Sequence, residues 1–210
     1  ISIFIVVYGV LKIKVKRAEH SKKIYKEIIE QSLTTFANTI DAKDNYTEGH
    51  SRRVAFYSRE LAQRLNLSFE EQEQIYYIAM MHDIGKIGIP DSILKKPTKL
   101  TDEEWEIMKK HSTYSGDILS EFTAIPEISS AVRYHHEWFD GTGYPYKLKG
   151  DEIPRTARII SVADSFDTMN SKRVYREPLS MEEIVKQLKE NAGKQFDPEI
   201  VPYMVKMIED

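Results

Sequence analysis

Cysteine is absent from all 210 residues of the sequence. Disulfides, thiolate metal ligands and a cysteine nucleophile are therefore excluded, and any metal would be held by imidazole, carboxylate and water. A surplus of positive charge is also lacking: 30 Lys and Arg stand against 33 Asp and Glu, for a net charge of −3. That balance provides no global field for a nucleic-acid duplex or an acidic membrane, although a local basic cluster can still hold phosphates. Nor is there an apolar run long enough to cross a bilayer. Ile1–Leu11 is almost wholly apolar, yet as a helix it would reach only ~16 Å, against a hydrocarbon core roughly 30 Å thick. Lys12, Lys14, Lys16 and Arg17 follow it directly. The segment reads either as the end of a truncated transmembrane helix with those cations on the cytoplasmic side, or as a strand or helix packed on the rest. Charges that follow the apolar stretch, instead of preceding it, argue against a signal peptide. The first residue is Ile1, which suggests a piece of a longer chain.

Strand patterning is scarce too, and helical signals dominate. Residues 17–42 read as one long helix, with Ile24, Ile28, Leu33, Phe36 and Ile40 approximating an apolar stripe. A second helix is expected over about 48–65. Ser68 with Glu71, and Thr101 with Glu104, have the spacing of capping boxes that open two more. Further helices are expected at 112–122, 126–136, 155–170, 181–192 and 198–209. Residues 137–154, rich in Gly, Asp, Tyr and Pro, read as an ordered loop. The fold class is all-α: a compact helical domain over 38–210, preceded by an apolar segment and helical connector over 1–37. That connector is expected to serve as a coiled-coil link and homodimer seam, or to pack back on its own domain.

The six histidines are His20, His50, His82, His111, His135 and His136. A single histidine is more often a surface or core residue than a ligand, but here two are adjacent and a third precedes Asp83. Neighbours on a helix point roughly 100° apart, so they converge on one site most easily where a helix ends, and Gly85 supplies an end after His82–Asp83. His135–His136 offers the same geometry. Asp164 lies within the apolar run ARIISVADSF, where a lone carboxylate is costly without a cation or strong hydrogen bonds.

Six segments carry a resemblance to a known family: DNYTEGHSRRVA (44–55), HDIGKIGIPDSIL (82–94), MKKHSTYSG (108–116), HHEWFDGTGYP (135–145), ARIISVADSFDTMNSKRVYR (157–176) and GKQFDPEIV (193–201). Together they resemble HD-GYP domains, the cyclic di-GMP phosphodiesterase branch of the HD phosphohydrolases. The resemblance implies a helical hydrolase that converts cyclic di-GMP to pGpG, and onward to GMP in some members, in bacterial second-messenger signalling. It implies metal ligation by His50, His82, Asp83, His111, His135, His136 and Asp164. Asp83 would bridge two divalent ions, iron or manganese in the family, and two ions can share a carboxylate while acidifying water. It further implies catalytic roles for Asp83, Lys86 and Asp167. Asp167 would orient a ligand, water or Lys86. Substrate contacts fall to Lys86, Arg173, Arg176, Tyr144 and Pro145.

Two positions depart from the family pattern. Where some members carry a third-metal Glu, this chain has Tyr46, which points to a two-metal centre, with Glu48 nearby read as a surface residue. Trp138 stands where members often have Arg. The GYP loop would shape the pocket, receive a partner domain of GGDEF type, or act as a structural lid. The rival readings are an idle nucleotide-binding scaffold and a hydrolase of another cyclic dinucleotide. The implied setting is a cytoplasmic domain, tethered to the inner membrane if residues 1–11 end a membrane helix.

Overall fold

Burying apolar residues at helical spacing against one another produces a single layered body of helices. A computed structural model describes residues 2–44, 49–172 and 177–210. Among them the α-helices are α1 (Ser2–Lys43), α2 (His50–Arg64), α3 (Phe69–Met80), α4 (Asp91–Leu94), α5 (Asp102–Ile118), α6 (Ile128–Tyr134), α7 (Arg155–Asn170), α8 (Met181–Glu190) and α9 (Val201–Glu209). Short 3-10 turns lie at Ile84–Gly88 and Gly150–Glu152. No strand occurs among the described residues, only a single bridge between Ala192 and Phe196. The all-α expectation holds.

Both anticipated capping boxes form. Ser68 accepts from the Glu71 amide and Thr101 from the Glu104 amide, and each glutamate reaches back to the cap. Each box satisfies two backbone donors that a helix start otherwise leaves open. Two expectations need correction. The opening segment and the connector are not separate elements, because α1 runs unbroken from Ser2 to Lys43. No glycine or proline interrupts it after Gly9, and the cation run Lys12–Arg17 is helix-compatible. The helix opened by the Thr101 box and the one expected at 112–122 are likewise a single element. α5 passes straight through, since its residues all favour or tolerate helix and the chain turns only after Ile118. Among the described residues, no helix is long and apolar enough to cross a membrane.

The core is built where α7 threads the body. Ile159, Ile160, Val162, Ala163 and Phe166 are buried against Val54 and Leu61 of α2, Ile78 and Ala79 of α3, and Leu188 and Met204 of α8 and α9. α1 joins this core only late, through Leu33 and Ala37. Between α3 and α5 the chain passes unusually close. A Cβ added to Gly85 would lie 2.0 Å from the His111 carbonyl oxygen and 2.4 Å from the Ser115 amide nitrogen, so only glycine fits. Ser115 pins the contact: its hydroxyl accepts from the Gly85 amide at 2.9 Å and donates to the His82 carbonyl at 2.8 Å.

Candidate metal centre

Five helices and their ends deliver the expected ligands to one place. Gly49, in left-handed backbone at φ 70°, turns the chain so that His50 begins α2. His82 and Asp83 occupy the turn after α3, His111 sits within α5, His135 and His136 follow α6, and Asp164 lies within α7. Their ligand atoms form three overlapping groups: His111 with His135 and His136, His50 with His82 and Asp164, and His82 with Asp83 and His135. Within each group the atoms lie within 4.8 Å of one another. All seven residues are thus brought together.

Local hydrogen bonds decide which ring nitrogen faces the centre. The Nδ1 atoms of His82, His111 and His135 lie 2.6, 2.8 and 2.6 Å from the carbonyl oxygens of Ala79, Met108 and Val132, three residues earlier in each case. A carbonyl only accepts, so Nδ1 carries the proton and the Nε2 lone pair is left facing inward. The Nε2 atoms of His111 and His135 are buried and have no hydrogen-bond partner among the described residues. Leaving a buried polar atom unmatched costs about 1–3 kcal/mol, a penalty that a cation at this position would remove. The donor set therefore fits divalent metal.

His50 is held differently. Its Nδ1 donates to Asp167 Oδ2 at 2.8 Å, and Arg53 grips the same carboxylate from Nε at 2.6 Å and Nη2 at 3.0 Å. Of the three tasks anticipated for Asp167, the geometry matches the orientation of a ligand, since Lys86 is paired elsewhere. The Lys86 ammonium lies 2.8 Å from Asp83 Oδ2 and 2.9 Å from Asp44 Oδ2. Asp83 faces both halves of the centre. Its Oδ1 is 3.4 Å from His111 Nε2, while its Oδ2 is 3.4 Å from His82 Nε2 and 3.8 Å from His50 Nε2.

These neighbours set opposite charge states within one pocket. Burial alone would lower His50, but its hydrogen bonds with Asp164 and Asp167 more than offset this and raise its pKa to about 9. His82 is also raised despite burial, through Asp83. Burial dominates at His136, reinforced by the charge of His111, and pushes its pKa down to about 3. His135 and His111 are lowered for the same first reason. Burial would raise Asp83 and Asp164, yet Lys86 holds the first and His50 the second well below the usual carboxylate range.

The sequence reading did not single out the last turn of α1. The Lys43 ammonium donates to the carbonyl oxygens of Lys86, Ile87 and Ile89 at 3.0, 2.7 and 2.8 Å, fastening the turn that carries Lys86. Asp44 pairs with Lys86 itself, and buried Asp41 accepts from Ser51, next to His50, at 2.8 Å. Asp44 opens the first matching motif and could have been flagged on that ground. Lys43 has no local sequence signal, because its three acceptors are backbone atoms far along the chain.

A cavity of about 710 Å³ opens beside the centre. Its lining includes His50, Asp83, Lys86, His111, His136 and Asp164 of the candidate centre, together with Trp105, Met108, Tyr144, Gln187, Asn191 and Gln195. Tyr144 lies against the His136 ring at 4.9 Å. The loop before it is compressed: a Cβ at Gly143 would meet the Trp138 amide nitrogen at 2.2 Å. Buried Glu137 ties the loop down by accepting from the amides of Tyr146 and Leu148 at 2.6 and 3.2 Å. Pro145 and Trp138 are not among the cavity's lining residues. The positions Tyr46, Glu48, Arg173 and Arg176 lie outside the described residues.

Comparison with known proteins gives concordant results. The family model described as "HD domain" matches residues 34–200. A cyclic di-GMP phosphodiesterase of Thermotoga maritima is 39% identical over 194 residues, covering 91% of this chain and 53% of that protein. A 3′3′-cGAMP-specific phosphodiesterase, number 2 of Vibrio cholerae, is 38% identical over 182 residues, covering 86% of this chain and 35% of that protein. The chain thus spans about half or less of the length of these relatives. Among solved structures, the fold matches a cyclic GMP-AMP-specific phosphodiesterase of Vibrio cholerae with a TM-score of 0.69 at 17% identity, covering 87% of this chain and 49% of that one.

Proposed function

The chain belongs to the HD domain family, in its HD-GYP branch, and from that premise we propose that it hydrolyses cyclic di-GMP with two divalent ions held by His50, His82, Asp83, His111, His135, His136 and Asp164. The observation that carries the reading is the position of Asp83, whose two oxygens face the two halves of the ligand set. Iron or manganese suits these nitrogen and oxygen donors, as the resemblance implies. When bound, such ions supply Lewis acidity, drawing charge from phosphoryl oxygens and making water a better nucleophile.

The chain's own residues account for the rest. Asp83 remains ionised beside Lys86. Lys86, held charged by Asp83 and Asp44 despite its burial, lines the cavity, where it can meet a phosphoryl oxygen as a compact cation. Burial keeps the Tyr144 phenol protonated, so it presents an O–H donor as well as a ring face. Trp105, 46% exposed, lines the same cavity with its ring 6.4 Å from that of Tyr144 and offers a second face for a purine to stack on. The cavity volume falls within the range typical of small-molecule sites. Water would add to phosphorus, the bond to the ribose 3′-oxygen would break, and that oxygen would take up a proton, giving pGpG. Asp167, through His50, acts as a positioning residue, and Arg173 and Arg176 complete the proposed phosphate contacts.

In this organisation residues 38–210 act as the hydrolase, residues 1–37 form a helical connector, and the domain works on the cytoplasmic side of a membrane. The GYP loop, with Trp138 and Tyr146 exposed, is where a GGDEF-type partner would dock. A second substrate, 3′3′-cGAMP, is favoured by a specific observation: relatives named for it are as similar to this chain as those named for cyclic di-GMP. Metal-loaded protein incubated separately with cyclic di-GMP, 3′3′-cGAMP and cyclic di-AMP, with the products separated by chromatography, tests both. Fastest turnover of cyclic di-GMP supports the first reading, preference for 3′3′-cGAMP the second, and tight binding without product would establish an idle receptor.

A further inference from the structure

Residues 10–29 of α1 are exposed, and among the described residues the first side-chain tie from this helix to the body is the Lys26–Glu73 pair. An isolated helix is marginal in water, and most helical stability comes from packing one face against something. This helix has such a face. Tyr8, Val15, Lys22, Ile29 and Phe36 recur every seven residues, and Phe4, Leu11, Ala18, Tyr25 and Ser32 form a second series four residues ahead of each. The large apolar members are conspicuously open: Phe4 is 82% exposed, Tyr25 66%, Leu11 and Val15 56%, Phe36 55% and Ile29 46%. The other heptad positions are less regularly apolar, one of them reading Gly9, Lys16, Lys23 and Glu30, although Val10, Ile13, Ile24 and Ile28, off the two series, are also open to solvent.

The body of the protein does not cover this stripe. α1 packs on it through Leu33, Ala37 and Ile40, a face roughly 80° around the helix from the nearby part of the seven-residue stripe. Ile29 and Phe36 therefore remain exposed even where the body lies alongside. A strict seven-residue repeat fits a left-handed supercoil with another helix, with the two series at the a and d positions. Self-association is favoured by the remaining residues. Lys22 is the one charged a position, a device that fixes register and strand number. In a parallel pair, Lys14 at g faces Glu19 of the second copy at e, and symmetry forms this attraction twice. No like-charged g–e pair arises over Phe4–Phe36.

We propose that α1 is a dimerisation helix that joins a second copy of this chain in a parallel, in-register two-stranded coiled coil along Phe4–Phe36. The inference is independent of the hydrolase reading. The absence of cysteine makes the test direct. Single substitutions Val15→Cys and Ile29→Cys place thiols on the seam, whereas Ile13→Cys and Glu27→Cys place them on the outer face. Facing a positions of a parallel pair come within the Cα separation of a disulfide, about 4.4–6.8 Å.

Under mild oxidation the two seam variants should run almost wholly as covalent dimers and the two outer variants as monomers. Light scattering of the unmodified 210-residue protein at micromolar concentration should give twice the chain mass. Leu11→Lys with Ile29→Lys, on exposed residues far from the metal centre, should restore the monomer with metal content unchanged. A monomeric unmodified protein, equal cross-linking of seam and outer variants, absence of cross-linking at the seam as in an antiparallel pair, or a dimer that survives the double substitution would each overturn the proposal.

Discussion

The two halves of the centre use the same side chain to opposite effect. His111, His135 and His136 meet with no carboxylate in their group, whereas His50 and His82 meet Asp164. In the first half burial decides, and His136 is held neutral with its pKa at about 3. In the second half carboxylate contacts outweigh burial, and His50 is lifted to about 9. Burial is nearly equal on both sides, so the neighbour, not the depth, sets the charge. One half is neutral and ready to ligate at physiological pH; in the other, His50 must first give up a proton. Asp83, with one oxygen toward each, is the only carboxylate that faces both halves among the described ligand groups.

Removing that link should have the largest effect. Asp83→Ala is expected to lower metal content and to reduce turnover at least about a hundredfold, roughly 2.7 kcal/mol of transition-state stabilisation. Elemental analysis and product formation on the same sample would check it, and near-normal values of both would remove Asp83 from the bridging role. Lys86→Ala comes next. A charge-assisted hydrogen bond contributes roughly 1.5–3 kcal/mol, so kcat/KM should fall about ten- to a hundredfold if the bond forms in the transition state. Arg173→Ala should act in the same direction, and unchanged kinetics in both single variants and their double would leave only a solvated cluster.

How far all this was readable in advance differs between the ligands and their supports. The seven proposed ligands stand in motifs whose residue types are already the chemistry, so His82–Asp83 and His135–His136 are legible once Gly85 and the loop over 137–154 mark helix ends. Asp164 was legible because a carboxylate among Ile, Val and Ala needs a partner. The supports were not. Lys43 acts on carbonyl oxygens more than forty residues away, and Ser115 on a turn thirty residues away, through backbone atoms that carry no residue-specific signal. The continuity of α1 was missed because the apolar start and the basic stretch differ in composition, while helix formation depends on neither.

Asp167→Asn sharpens the comparison, since it reaches only one half. The amide still accepts a bond but no longer compensates the His50 charge, and substitutions of this kind typically cost about 10–100-fold in metal affinity or activity. The loss should fall on the ion nearest His50, leaving the site at His111, His135 and His136 filled in anomalous scattering; equal loss at both sites would contradict the division.

The smallest effect is a proton count. At pH 7 metal loading should release a proton from His50 and none from the three-imidazole half. Calorimetry in buffers of different ionisation enthalpy measures this, and the His50 release should vanish above pH about 9. Because the His50 pKa is raised, its contribution to the stability of the metal-free fold is complete below the ordinary histidine pKa of about 6.5 and is lost as pH rises through about 9. A release that persists unchanged above that pH would show that His50 is not the source.

A two-metal hydrolase can be tested in a single cycle on one preparation: anaerobic purification, metal analysis, removal of metal by chelation, and reloading with iron or manganese, with the products of cyclic di-GMP separated by chromatography at each stage. About two ions per chain are expected, with pGpG from the loaded protein, none after chelation, and recovery on reloading. Undiminished pGpG formation by the metal-free protein, or a fully loaded protein that forms none, would contradict it.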